Sequence, residues 1–307
     1  MKPYSLPVGI EVFERGWLSA NNIFHFGDDD VSLVDTGYVA HQTMTLGLVR
    51  SALDKHQLNT VHKVVNTHLH SDHCGGNAAL KAGYDCQIYI PAAEAEVVRN
   101  WNMDLLSYQN LGQDCPQFSC DHVLIPGQSI VLGRYTWNIL AAPGHDPHSV
   151  MLYQEQYGLL ISADALWEEG FGVIFPEMWG ESGFEEVAQT LDLIEGLAIS
   201  LVIPGHGRPF IDVATALATA RSRLDYLASD PDRNARHGAK VLLKYKLLEW
   251  RNKELSLVNQ WISRTPALNS AAKQLNMDMD EFCIWLSQAL VKSGAATIED
   301  NCLVDKS

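Results

Sequence analysis

No apolar run in this 307-residue chain approaches the ~20 residues that a membrane-spanning helix needs, so a transmembrane reading is excluded. Cysteine is scarce and scattered. Cys74, Cys86, Cys115, Cys120, Cys283 and Cys302 form no CxxC pair, which excludes a disulfide scaffold or a structural zinc knuckle and leaves reduced thiols as the expectation. Positive charge is also in short supply, with 22 Lys and Arg against 37 Asp and Glu and a net charge of −15. The imbalance is local: residues 1–209 hold 9 basic and 25 acidic side chains, and the remainder holds 13 and 12. So acidic a front segment repels a phosphate backbone, which weighs against nucleic acid as the main partner, although bound metal ions would reverse the field locally. There is no internal repeat or low-complexity stretch. The opening Met1-Lys2-Pro3-Tyr4-Ser5-Leu6-Pro7-Val8-Gly9 has one basic residue, no continuous apolar stretch and no small-residue cleavage site, so a cytoplasmic protein is expected.

What the chain does contain is an alternation of short apolar runs and longer helical patterns through about residue 210. Strands are expected at Val8–Phe13, Asn22–Phe26, Val31–Asp35, Val61–Thr67, Gln87–Ile90, His122–Ile125, Ser129–Leu132, Tyr135–Ala141, Val150–Gln154, Leu159–Ser162 and Ser200–Ile203. Between them His41–Lys55, Asn77–Ala82, Ala92–Trp101 and Phe184–Leu197 read as helices. In the last, Val187, Leu191, Ile194 and Leu197 recur at helical spacing. The mixture implies a layered α/β or α+β domain. Beyond Pro209 the pattern turns almost wholly helical: Val213–Leu227, a Ser-Asp-Pro-Asp-Arg-Asn break, then Gly238–Leu255. In the tail Ser256–Arg264, Ser270–Gln274 and Asp280–Ser293 read as three helices. Ala296-Thr297-Ile298 and Cys302-Leu303-Val304 would pair as a hairpin. The expected organisation is a catalytic domain over 1–210, a helical connector over 211–239 and a C-terminal domain over 240–307.

The chemistry is concentrated in Thr67-His68-Leu69-His70-Ser71-Asp72-His73, which follows a very apolar strand and precedes Gly75-Gly76. A strand end followed by a turn brings such side chains to a sheet edge, where ligands converge in open α/β folds. Neutral imidazole and carboxylate hold zinc and related divalent ions. His68 and His70 alternate on one extended segment and point the same way, so they can share one ion while Asp72 and His73 turn toward a second. Three later pieces, Pro143-Gly144-His145, Ser162-Ala163-Asp164-Ala165 and Pro204-Gly205-His206-Gly207, each put a ligand type at a strand end beside a small residue.

With those pieces in place, residues 1–210 resemble the metallo-β-lactamase superfamily, with a glyoxalase II-like ligand set. The resemblance implies a four-layer αββα sandwich. It implies one metal held by His68, His70 and His145, a second held by Asp72, His73 and His206, and Asp164 bridging the two. It also places Asp35, in Leu33-Val34-Asp35-Thr36-Gly37, behind the ligands as an orienting group. His148, three residues after His145, is a further supporting candidate, as open to an ordinary strand-start role. His25, His41, His56, His62, His122 and His237 are taken as ordinary surface or core histidines, and Cys74 as a small filler beneath the site.

Two divalent cations sharing a carboxylate can share a hydroxide, because each lowers the pKa of bound water from ~16 toward ~7. No serine or cysteine nucleophile is then required, and Asp72 can orient the attacking hydroxide as well as bind metal. Zinc is the default, and iron and manganese suit the same ligands. True β-lactamases of the main branch generally carry Cys where Asp164 stands, and diiron oxygen reductases a carboxylate where His70 stands. The resemblance therefore favours hydrolysis over lactam resistance and over redox chemistry.

For substrate, Trp167, Phe171, Phe175 and Trp179 follow Asp164 with glycine hinges between them. They would line an apolar pocket, or pack against the tail; Trp101 to Phe118 is a second such segment. The order of tail elements resembles a winged-helix module appended to the endoribonuclease branch of the superfamily. Its longest helix offers Asp280, Glu281 and only Lys292, a poor surface for DNA, so dimerisation or covering of the active site is the better expectation. No basic cluster plainly matches the glutathione site of glyoxalase II. The leading expectation is a binuclear hydrolase of a small ester, thioester or lactone. An endoribonuclease or phosphodiesterase comes second, and a non-catalytic metal-containing binding protein third.

Overall fold

The computed structural model describes residues 4–103 and 105–306; the first three residues of the opening segment, together with Asp104 and Ser307, lie outside the described residues. All eleven expected strands of the front segment are present, most within one or two residues of the expected ends. Strands β1 (Ile10–Phe13), β2 (Asn22–Phe26), β3 (Val31–Val34), β4 (Lys63–Val65), β5 (Gln87–Pro91) and β6 (His122–Leu124) form one sheet in that order. A second sheet runs β11 (Leu201–Pro204), β10 (Leu159–Ala163), β9 (Val150–Gln154), β8 (Tyr135–Ala141) and β7 (Ser129–Leu132). Pairing is antiparallel except through β3, β4, β5 and β6 and between β10 and β11.

The two-residue period of a strand explains how both sheet faces become buried. Ile23, Val65, Leu152 and Ile161 point inward to a core shared by the two sheets. Their neighbours point outward: Phe24 and Val64 pack beneath helices α1 (Gln42–Lys55) and α3 (Asn77–Tyr84), and Met151 and Leu160 beneath α6 (Phe184–Glu195) and α7 (Val213–Ala228), while the short α2 (Ser71–Cys74), α4 (Ala95–Asn100) and α5 (Ser107–Leu111) lie between α1 and α6 in the chain. The result is a four-layer αββα sandwich.

Helix α8 is longer than the sequence pattern suggests. It spans Pro231–Trp250, because Asp230 caps it by accepting from Asp232 N and proline occupies the first turn, where its missing N–H costs nothing. The Ser-Asp-Pro-Asp stretch is thus a helix start, and α8 runs unbroken across residue 240. It ends where Arg251 turns left-handed at φ 64°, and a short strand, β12 (Asn252–Glu254), replaces the expected last helical turn. Helices α9 (Leu255–Arg264), α10 (Pro266–Gln274) and α11 (Met279–Lys292) follow, with β13 (Ala296–Glu299) and β14 (Cys302–Asp305) completing a three-stranded sheet ordered β12-β14-β13.

This tail does not hang free. Phe175, Met178 and Leu111 from the front segment share one buried cluster with Leu242, Val258 and Phe282. Gly238 permits the approach, since a Cβ there would lie 2.4 Å from Met178 Sδ. No helix among the described residues is long and apolar enough to cross a membrane.

Candidate metal centre

Five chain segments deliver the expected site residues to one edge of the sandwich, each at or just beyond a strand end: Asp35 after β3, His68 to His73 after β4, His145 between β8 and β9, Asp164 after β10 and His206 after β11. Asp35, and Ala163 just before Asp164, carry backbone conformations that L residues seldom adopt. Asp35 has φ 56° and Ala163 φ 48°, strain of the kind that clusters at functional sites.

His70 Nδ1 is the hub of the first group, 3.1 Å from His68 Nε2 and 2.8 Å from His145 Nε2. The far sides of two of these rings are tied down. His145 Nδ1 donates to Val173 O at 2.5 Å. Thr67 Oγ1 donates to Asp35 Oδ2 at 2.9 Å and so accepts from His68 Nδ1 at 3.1 Å. Those bonds select the tautomers that turn bare nitrogens toward a common point. Burial pushes the His68 pKa well below its ordinary value and that of His70 to about 4, so both rings are held in the neutral form that binds metal.

The second group has the opposite electrostatics. Asp72 Oδ2 lies 3.1 Å from His206 Nε2 and 4.0 Å from His73 Nε2. His73 Nδ1 donates to Asp35 Oδ2 at 2.8 Å, leaving His73 Nε2 buried with no hydrogen bond. Burial disfavours charge on this ring, yet Asp164, Asp35 and Asp72 together outweigh it and raise the His73 pKa well above its ordinary value. Three carboxylates around one imidazole make a pocket that attracts a cation.

Asp164 joins the groups. Its Oδ2 lies 3.4 Å from His145 Nε2, 3.5 Å from His73 Nε2 and 3.9 Å from His206 Nε2, while Trp167 Nε1 donates to its Oδ1 at 3.3 Å. His68, His70 and His145 form one set with ligand atoms close enough to hold an ion; Asp72, His73 and His206 form another; His68, His73 and Asp164 span the gap. A buried unpartnered nitrogen and a neutral and an anion-rich triad sharing a carboxylate fit a pair of divalent cations.

His148 is not part of this convergence: its side chain is exposed, and its backbone N–H donates to Asp146 Oδ1 at 2.8 Å. The residue facing the far side of His70 is Asp146 itself, 3.8 Å from Nε2. The aromatic segment divides. Trp167 and Phe171 line the site cavity, a space of about 520 Å³. Phe175 lies edge-on to His70 at 5.3 Å and also belongs to the tail cluster, so its two expected roles coexist. Trp179, 39% exposed, stacks on Phe175 at the rim of a second cavity behind His70 and His145.

Three features escaped the sequence reading. Trp17, 58% exposed, stacks on the His206 ring at 5.5 Å without any patterning that would single it out. Asn21 clamps the His206 loop, donating to Pro204 O at 2.9 Å and Gly207 O at 2.7 Å. Finally, α8 closes the cavity with His237, Lys240, Val241, Lys244, Tyr245 and Leu248, one helical face at three- and four-residue spacing. That spacing was visible, but nothing local revealed what the face looks toward.

The sequence pattern of the metallo-beta-lactamase superfamily matches residues 15–206. The chain belongs to that superfamily. The probable metallo-hydrolase YqgX of Bacillus subtilis is 28% identical over 206 residues, covering 65% of this chain and 90% of that protein. A hydroxyacylglutathione hydrolase of Bdellovibrio bacteriovorus is 26% identical over 134 residues, 44% of each protein. The match therefore spans less than half of that enzyme. A metallo-beta-lactamase family protein of Thermus thermophilus shares the fold over 98% of this chain and 100% of its own, with a TM-score of 0.56 and 19% identity. As a superfamily member with these relatives and this His and Asp cluster, the chain is a metal-dependent hydrolase.

Proposed function

We propose that this superfamily member hydrolyses a small ester, thioester or lactone on two divalent ions, with zinc the expected metal. The observation that carries the reading is Asp164 Oδ2, set within 3.9 Å of imidazole nitrogens from both triads. His68, His70 and His145 would hold one ion, Asp72, His73 and His206 the other, and Asp164 both. When bound, such ions make a hydroxide available at neutral pH and polarise the carbonyl under attack.

The chain's own residues supply the positioning. Asp35 and the Val173 carbonyl fix the rings of His73 and His145, as groups behind metal ligands commonly do. Trp167 holds the free oxygen of Asp164. Asp72 stands at the cavity surface, where its carboxylate can orient the attacking water as well as bind. Phe171, Val173, Phe175 and Val241 give the cavity walls that suit an acyl chain and exclude water from it. The tail, read as a winged-helix-like unit, serves here as a wall of the site through α8 and α11.

Full-length protein loaded with zinc should turn over acyl thioesters or lactones and leave bis-p-nitrophenyl phosphate and single-stranded RNA intact. RNA or phosphodiester cleavage with inert esters would overturn the reading in favour of a nuclease. Inactivity on all four substrates, with less than one bound ion per chain after reconstitution, would overturn hydrolysis itself.

A further inference from the structure

The wall of the site cavity formed by α7 and α8 carries two cations with no carboxylate partner among the described residues. Arg223, on α7, is half-buried and donates through Nη2 to His237 Nε2 at 2.7 Å. Its guanidinium lies 5.3 Å from the Phe171 ring centre, over the ring face. Gly170 makes room for it, because a Cβ there would lie 2.8 Å from Nη1. The acceptor is a neutral imidazole: burial first, then Arg223 and Lys240, push the His237 pKa down to about 3. Lys240 is half-buried one turn along α8 and lines the same cavity. Among the described residues neither Arg223 nor Lys240 has a carboxylate partner. Lys244, the third cation on this wall, is already engaged by Asp305 and by Ala295 O.

A partly desolvated guanidinium is costly unless something compensates its charge. Five of the ten other arginines have acidic partners; Arg223, which lines the cavity, has none among the described residues. Arg223 spends one of its five donors on His237, and the remainder present a planar fork of the kind that grips an oxyanion, with Lys240 beside it as a second charge.

We propose that Arg223 and Lys240 form an anion subsite, and that the substrate is an acyl compound with an oxyanion, carboxylate or phosphate, at the end remote from the bond cleaved. Val241 and Phe171 line the apolar stretch between the two ends. This inference rests on the hydrolase reading for its scissile end, while the subsite itself can be examined without turnover.

The test compares N-acetylcysteamine thioesters of pentanoate, glutarate and phosphonobutanoate on the zinc-loaded full-length protein. An anionic tail should raise kcat/KM about tenfold or more, chiefly through KM, the scale of charge-assisted hydrogen bonds. A preference for glutaryl or for phosphonobutanoyl thioester supports the subsite and names its anion. In Lys240→Gln and Arg223→Gln the preference should fall toward one, and Arg223→Lys should restore part of it. Pentanoyl thioester as the best substrate, or an anionic preference that survives in both glutamine variants, overturns the proposal. Should no thioester be cleaved, the hydrolase reading fails separately, and calorimetric titration with glutarate decides the subsite. Saturable binding weakened in Lys240→Gln supports it; absent or unchanged binding overturns it. Among the described residues Lys240 has no carboxylate partner to lose, so that variant stays informative if Arg223→Gln does not fold.

Discussion

Replacing Asp164 by alanine is expected to lower hydrolysis by about a thousandfold or more, a scale that loss of a single preorganised electrostatic group already reaches. The expectation follows from where its Oδ2 stands, 3.4 Å from a nitrogen of one triad and 3.5 Å from a nitrogen of the other. Losing that oxygen would remove a proposed ligand of both ions at once. Metal content should fall with activity, while far-ultraviolet circular dichroism remains that of the parent. Steady-state kinetics and elemental analysis on the same samples check this. A variant with parental metal content and more than half of parental activity would show that Asp164 does not join the two groups.

The second large effect needs no change in any proposed ligand. Adding one methyl group at Gly205 places a Cβ 2.2 Å from Asp164 Oδ1 and 3.0 Å from His73 Cε1. The peptide cannot retreat, since Gly205 N donates to Ala163 O at 2.7 Å and Gly205 O accepts from Asn21 N at 2.7 Å. The carboxylate must therefore move, and displacements of about 1 Å at a preorganised site cost about a hundredfold in rate. Gly205→Ala should lose activity on that scale and bind less metal. Gly47→Ala is the matched control: nothing lies within 4 Å of its added Cβ, and it sits within α1, where alanine is favoured over glycine. Equal activity for the two variants would mean that the Gly205 contact is absorbed elsewhere.

These two residues also show what could be read from sequence and why the rest could not. Gly205 announced itself by standing beside a histidine at a strand end, and His68 to His73 by packing ligand types into a few residues. The eleven strands of the sandwich were legible because a strand buried on both faces reads as a short apolar run, as Ile23 and Phe24, on opposite faces of β2, show. Contacts made across the fold leave no such mark. Trp17 reaches His206 across 189 positions of sequence, and Asp146 was passed over for His148 because spacing alone cannot say which side chain turns inward. His237 looked ordinary for the same reason: its partner Arg223 lies on the preceding helix, and the chamber they border exists only once α8 has docked on Tyr38 and Leu18. Sequence pattern described the ligands well because they are local to strand ends. It described the substrate's surroundings poorly because those are assembled from distant pieces.

Whether the seven side chains form one two-ion centre is tested directly by diffraction from metal-loaded crystals at the absorption edge of the bound element. Two anomalous peaks per chain are expected, one ringed by His68, His70 and His145, the other by Asp72, His73 and His206, with Asp164 between them. A single peak, or peaks away from Asp164, would contradict a two-ion centre.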